Sequence, residues 1–190
     1  MGDSASRPTI CLMAPDSHKI FYKRKLPHYQ LNNVTYFITL WLGDQSQHFN
    51  DFLDSSKVGP FWLGEDRIAK IVADAIRHRD QTDYDLIAFC IMPNHAHLLF
   101  ASVVERDLSR SSPSERTEVR STFPVTSILR LIKGSTAREC NKLLNRTGAF
   151  WQHESYDHII RSQKELNDSI LYVLNNPVKA GLVSRWEEWK

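Results

Sequence analysis

Apolar residues recur along this chain with two different periods, and the alternation between them outlines an architecture. Val34-Thr-Tyr-Phe-Ile-Thr-Leu-Trp-Leu42 is dense in β-branched and aromatic residues and predicts a buried central strand. Between Glu65 and Arg79, Ile68, Ile71, Val72, Ala75 and Ile76 stand at i, i+3, i+4, i+7 and i+8, the spacing of a helix packed by one face. Tyr84 to Met92 and His95 to Ser102 read as two strands around Pro93-Asn94, a turn signal, and so as a hairpin. A second helix follows from about Val125 to Leu144, and Tyr156 to Ile160 reads as a further strand. Strand, helix, hairpin, helix is the order of an α+β sandwich, so we expect a ferredoxin-like antiparallel sheet with its helices packed on one face and the other face free.

A last helix is expected from Ser162 to about Asn176. Ser162 followed by Glu165 has the form of a capping box, in which each side chain takes a backbone N–H left unpaired at a helix start. Leu166, Ile170, Val173 and Leu174 form the apolar stripe, while Glu165, Asp168, Ser169, Tyr172, Asn175 and Asn176 occupy the opposite arc. A tyrosine therefore sits in the middle of a polar face. Asp168, Tyr172 and Asn176 are each one turn apart and rise on one side. Pro177 lacks an N–H and disfavours helical geometry in the residue before it, which predicts the stop.

The chain has 190 residues, 42% hydrophobic and 24% charged, values of an ordinary globular protein with room for one sizeable core. We expect one domain over 21–190 behind a mobile tail, residues 1–20, which lack periodicity and are rich in Ser, Pro and Asp. No apolar run approaches the length that crosses a bilayer, so no membrane partner is expected. The opening residues lack the apolar core of a secretory signal, and Cys11, Cys90 and Cys140 fit neither a disulfide framework nor a cysteine zinc site. A reducing cytoplasm is the expected compartment. The net charge of +2 does not argue for nucleic acid by itself. Its distribution is more suggestive: Arg130, Lys133, Arg138, Lys142 and Arg146 stand against one acid, Glu139, within 130–146. A second basic stretch, Tyr22-Lys23-Arg24-Lys25-Leu-Pro-His28, reads either as a packed lead-in to the first strand or as an arm that contacts phosphates. Residues 103–123 form a polar loop rich in Ser and Arg.

The sharpest local feature is His95-Ala96-His97. Residues two apart in a strand share a face, so both imidazoles project together while Ala96 points the other way. Two neighbouring imidazoles are half of a divalent-metal site, and Asn176, Asp168 or Glu165 would add an oxygen if the tyrosine helix lay across that face. Such a set, with positions left open for phosphate oxygens, suits Mg²⁺ or Mn²⁺ in phosphoryl transfer. Taken alone, a His pair is more often a hydrogen-bonded surface pair, and a lone exposed tyrosine a helix contact.

Together with their surroundings these residues resemble the REP-associated tyrosine transposases, within the single-tyrosine HUH transposases. The resemblance is carried by Leu26-Pro-His28 with Thr35-Tyr-Phe37, by Ile91-Met-Pro-Asn-His-Ala-His-Leu-Leu-Phe100, by Phe150-Trp-Gln-His-Glu-Ser-Tyr-Asp-His158 with Arg161, and by Tyr172-Val-Leu-Asn-Asn-Pro-Val-Lys-Ala-Gly-Leu-Val183. It implies that His95 and His97 bind the metal, with Asn176 as the polar residue near it, and that Tyr172 is the nucleophile on the C-terminal helix. The implied reaction cleaves single-stranded DNA at a hairpin-forming repeat through a 5′-phosphotyrosine link and rejoins strands, with Mg²⁺ or Mn²⁺ and no small-molecule cofactor, in the bacterial cytoplasm or on the nucleoid.

Several further expectations follow from the same resemblance. Single-stranded or hairpin DNA is the expected partner, with the 130–146 cations and Lys23, Arg24 and Lys25 contacting its backbone. The protein would be a monomer or homodimer; the short link from Arg161 to Ser162 favours a tyrosine helix that stays on its own chain. Trp41 and Gly43 depart from the pattern, which would have Arg and Ala there. The alternatives are a regulator that binds hairpin DNA or RNA without cutting, and a phosphoesterase that uses water.

Overall fold

A computed structural model describes residues 20–23, 27–30, 34–43, 59–102 and 124–189. A two-stranded antiparallel hairpin, β1 (Ile20–Lys23) and β2 (Pro27–Gln30), comes first. The main sheet follows, built from β3 (Thr35–Trp41), β4 (Tyr84–Ile91), β5 (His95–Ser102) and β6 (Tyr156–Ile160) in the spatial order β4-β5-β3-β6, with every pairing antiparallel. Helix α1 (Asp66–Arg77) crosses from β3 to β4 and α2 (Val125–Leu143) from β5 to β6, which is the split βαβ arrangement of the ferredoxin-like sandwich. The expected α+β class and its antiparallel sheet are present. Most of the expected tail, and the whole of the 103–123 loop, lie outside the described residues, although Ile20 already belongs to β1.

Alternation along the two central strands decides which face is which. Tyr36, Ile38 and Leu40 of β3 and Ala96, Leu98 and Phe100 of β5 are buried on one face against Ile68, Val72 and Ile76 of α1 and Ile128 and Ile132 of α2. The i, i+4, i+8 spacing on α1 is what lets one stripe reach that face. Tyr84 is buried in the same core and donates its hydroxyl to the Ile76 carbonyl at 2.6 Å, so the phenol's polar end is satisfied.

The second face is not free. Helix α3 (Gln163–Lys179) lies across it, with Leu166 on Leu99 and Ile160, and Val173 on Cys90 and Met92. The expectation of an open face failed because Phe37, Leu99 and Met92 make that side of the sheet apolar as well, and the apolar stripe of α3 covers it. Burial pushes the Cys90 thiol up to about 12 and the Cys140 thiol up to about 11, which leaves both as inert packing groups. Among the described residues no helix is long and apolar enough to cross a membrane.

Helix α3 also runs past its expected end. Pro177 lies inside it, and the stop is set by Gly181 at φ +70°. Leu182 N–H bonds the Pro177 carbonyl at 2.9 Å and Gly181 N–H bonds the Val178 carbonyl at 2.9 Å, the paired bonds of a Schellman cap. A proline near the last turn sacrifices one bond, whereas a left-handed residue reverses the chain. Gly181→Ala is therefore expected to cost about 1 kcal/mol, read as a lower urea midpoint with an unchanged slope; an unchanged midpoint would show that the cap contributes nothing.

Candidate active site

Strand β5 presents His95 and His97 to the α3 side, and each is only 1% exposed. Their surroundings come from β3, whose register places Thr39 beside His97 and Trp41 beside His95. The Trp41 ring lies 4.4 Å from that of His95, and Phe37 stacks on His97 at 5.4 Å. His95 Nδ1 is 2.7 Å from Asn94 Oδ1, and His97 Nδ1 is 3.0 Å from Thr39 Oγ1. The two Nε2 atoms face each other at 3.0 Å, and Asn176 Nδ2 on α3 stands 3.2 Å from His97 Nε2.

One pair of tautomers suits these contacts: a His95 proton on Nδ1, toward the accepting Asn94 Oδ1, and a His97 proton on Nδ1, toward Thr39, with the Asn176 amide donating to His97 Nε2. Two lone pairs then converge at 3.0 Å. That separation fits a shared cation, because adjacent ligands of an octahedral ion with bonds of about 2.1 Å stand about 3.0 Å apart. Among the described residues no group of three His, Cys, Asp or Glu side chains could hold a metal. The group that joins the His pair is the Asn176 amide, whose rotation through half a turn would offer an oxygen instead. Of the other two carboxylates considered from sequence, Glu165 Oε1 is 2.6 Å from His158 Nε2 and Asp168 pairs with Lys164 at 2.7 Å.

Burial, and after it the neighbouring His95, hold the His97 imidazole well below its usual range. A neutral imidazole is the form that ligates a metal. The same shift makes a stability prediction. Unfolded His97 takes a proton near pH 6.5 and the folded group does not, so its contribution is complete above about pH 6.5 and is lost as the pH falls below it. The urea midpoint of metal-free protein should drop on acidification below that point, with a shallower drop in His97→Gln; equal slopes would contradict this origin.

Tyr172 faces the same spot from α3. Its half-buried ring meets His97 edge-on at 5.3 Å and Phe37 at 5.7 Å, and Lys179 Nζ lies 4.8 Å from the ring centre. It borders a cleft of about 720 Å³ between β3, β6 and α3, lined also by His97, His158, Lys164, Glu165 and Asp168. The expected stripe holds, with Leu166 and Val173 buried and Ile170 and Leu174 half-buried, but Asn176, expected on the polar arc, is buried as well. The turn that carries Asn176 toward His97 leaves Tyr172 at the cleft edge.

The start of α3 departs from the capping box in one respect. Ser162 Oγ accepts the Glu165 N–H at 3.1 Å as expected, but the Glu165 carboxylate accepts the Arg161 N–H at 2.6 Å and bonds His158. The His158 hydrogen bond, with the Arg161 N–H next, lowers the carboxyl's pKa. His158 thus ties β6 to α3.

The expected DNA-contacting cations do not gather at this cleft. Helix α2 packs on the opposite face of the sheet, so the exposed Arg130, Arg138 and Lys142 lie behind the site. Arg146 is engaged within the chain: its guanidinium stacks on the Trp62 ring at 3.8 Å and bonds Asn141 Oδ1 and the Ala149 carbonyl. Lys133 Nζ donates to the His153 carbonyl at 3.0 Å. Charge alone marked these two residues, and neighbouring acceptors in the chain claim them. Arg24 and Lys25 lie outside the described residues, as does the side chain of Lys23.

Reading the sequence missed Phe37, Thr39, Trp41 and Asn94 as supports of the His pair. Alternation on β3 contained the first three, but only the cross-strand register assigns them. Gly43, the other departure from the expected pattern, takes φ +86° and would bring a Cβ to 3.2 Å from Pro60 Cγ, so this chain's own turn requires the glycine.

An antiparallel α+β sandwich whose second face holds a His pair under a tyrosine-bearing helix defines the class: the chain resembles the REP-associated tyrosine transposases in sequence and in fold. A structure of a REP-associated tyrosine transposase bound to a REP hairpin superposes with a TM-score of 0.57 at 18% identity, over 88% of this chain and 80% of that one. The "Putative REP-associated tyrosine transposase" of Haemophilus influenzae is 29% identical over 111 residues, which span 56% of this chain and 56% of that protein. No family profile matches the chain.

Proposed function

We propose that the protein is a metal-dependent single-stranded DNA transesterase that nicks and rejoins at hairpin-forming repeats. The observation that carries this reading is the placement of the Tyr172 ring 5.3 Å from His97, which lines the cleft together with Tyr172 and is the residue that His95 and Asn176 contact. His95, His97 and Asn176 would hold Mg²⁺ or Mn²⁺, which when bound polarises a phosphate and makes it a better electrophile. The rest of the work falls to the chain. Asn94 and Thr39 hold the imidazole tautomers, Phe37 and Trp41 pack the rings against rotation, and burial keeps His97 neutral.

Tyr172 Oη would attack the scissile phosphorus, forming a phosphotyrosine ester and releasing a 3′-OH. The phenol's proton leaves and the departing oxygen gains one. Because the new ester conserves the energy of the broken bond, that hydroxyl or another can reverse the step without water or an energy source. All four site residues come from one chain, since α3 packs on the sheet that carries the His pair. That packing supports a monomer as the working unit. The REP hairpin held by the REP-associated neighbour supports hairpin DNA as the ligand here, and a DNA ligand would fit a bacterial cytoplasmic or nucleoid location.

End-labelled hairpin oligonucleotides from repeats flanking its own gene, incubated with Mn²⁺ or Mg²⁺ and run under denaturing conditions, test the reading. A slowly migrating, metal-dependent adduct is expected. Tight binding with neither cut nor adduct would favour a hairpin-binding regulator, and a cut without adduct a phosphoesterase.

A further inference from the structure

We infer that Lys179 is a second catalytic side chain, one that grips a non-bridging oxygen of the phosphate attacked by Tyr172. The inference rests on the transesterase reading. Position 179 follows position 172 by seven residues, close to two full turns, so both side chains stand on one strip of α3. Side chains on a helix lean toward its N-terminus, which sends the long lysine stem back over the ring, and Nζ comes to rest 4.8 Å from its centre.

The lysine's surroundings set it apart from Lys164, which lines the cleft. Lys164 is paired with Asp168 at 2.7 Å, whereas Lys179 has no carboxylate partner among the described residues, and its contact is the tyrosine ring itself. A lysine in the last turn of a helix also meets the negative end of the helix dipole, and that suffices to place a cation there. It does not account for the position of Nζ over the nucleophile. A cation–π contact at an exposed site is weak, about 0.5–1 kcal/mol, so an arriving phosphodiester would readily draw the ammonium from the ring face to its own oxygen.

In the step itself, the Tyr172 Oη–P bond forms and the P–O3′ bond breaks. Negative charge grows on the non-bridging oxygens, and Lys179 meets it while exchanging no proton. Stabilising charge that develops only in the transition state raises the rate of chemistry more than it raises affinity. Asn176 and the His pair occupy the buried side of Tyr172, so Lys179 would approach the phosphate from the solvent side.

The test uses the full-length protein with Mn²⁺ and a labelled hairpin oligonucleotide at saturation, measuring single-turnover adduct formation and, separately, hairpin affinity. Lys179→Ala should slow adduct formation by about 10–100-fold while affinity changes by less than about threefold, and Lys179→Arg should recover most of the rate. A phosphorothioate at the scissile position should slow wild type in one diastereomer more than in the other, and Lys179→Ala should lose part of that difference. Adduct formation by Lys179→Ala at the wild-type rate would overturn the inference alone. Equal loss in the Ala and Arg variants with a lowered melting temperature would also overturn it, in favour of a structural role. Absence of any adduct from wild type, under conditions where it binds the hairpin, would overturn both the inference and the transesterase reading.

Discussion

Tyr172→Phe is expected to abolish covalent capture of DNA, to below detection, while hairpin affinity and stability stay near wild type. The substitution removes one oxygen. The ring contacts to His97 and Phe37, at 5.3 Å and 5.7 Å, involve carbon atoms that phenylalanine retains, so the stability change should stay within about 1 kcal/mol. What disappears is the atom that would form the ester. Denaturing electrophoresis of wild type and variant side by side, with a binding assay on the same samples, separates the two effects. A variant that still formed the adduct would locate the nucleophile elsewhere; a variant that lost binding would make Tyr172 a recognition residue.

The second large effect is expected at the His pair. His97 touches Thr39, His95, Asn176, Phe37 and Tyr172, so its loss would remove the proposed metal ligand and the wall behind the proposed nucleophile together. His97→Gln should lower metal-dependent cleavage by at least about 100-fold, beyond the 10–100-fold typical of residues that only orient a ligand. Binding of an ion should be visible without DNA. At a concentration 100-fold above its dissociation constant, Mn²⁺ should stabilise wild type by about 2.7 kcal/mol, read as a rise in melting temperature, and His97→Gln should show little of that rise. A variant that cleaved normally, or a wild type indifferent to every divalent cation, would contradict the assigned ligands.

How legible these features were in the sequence depended on the range over which each is determined. Alternation within eight residues of β5 was enough to face His95 and His97 the same way, because a strand has no other choice. The α+β order was legible for a similar reason: each element announces its own period, and Pro93-Asn94 joins two of them by a local turn. Longer-range properties were hidden. That Asn176 would be buried depends on how α3 rolls on the sheet, and the wheel assigned it to the polar arc because its polarity outweighed its position. That Arg146 is occupied depends on Trp62, 84 positions earlier in the chain, which no local pattern connects to it. Pro177 was given too much weight as a stop, since a proline in the last turns costs a bond without reversing the chain, and Gly181 does the reversing.

The separation of the exposed α2 cations from the cleft bears on how DNA would be held. Arg130, Arg138 and Lys142 on the far face cannot touch the phosphate next to Tyr172, so any contribution they make is to a distant part of the hairpin. Among the described residues, Lys164 lines the cleft and is paired, Arg161 lies near Glu165 at its rim, and Lys179 is joined to no carboxylate. Contact with the scissile phosphate would thus rest on few charges, and the salt sensitivity of cleavage at saturating DNA should be much weaker than that of binding.

The most direct measurement is peptide mapping of the covalent product. Wild-type protein is incubated with Mn²⁺ and a hairpin oligonucleotide, the DNA is trimmed by nuclease, the protein is digested, and the nucleotide-bearing peptide is sequenced by mass spectrometry. The expected result is a single modified peptide with the nucleotide joined through its 5′-phosphate to Tyr172. Modification at another residue, or cleaved DNA with no modified peptide at any time point, would contradict Tyr172 as the nucleophile of a transesterase.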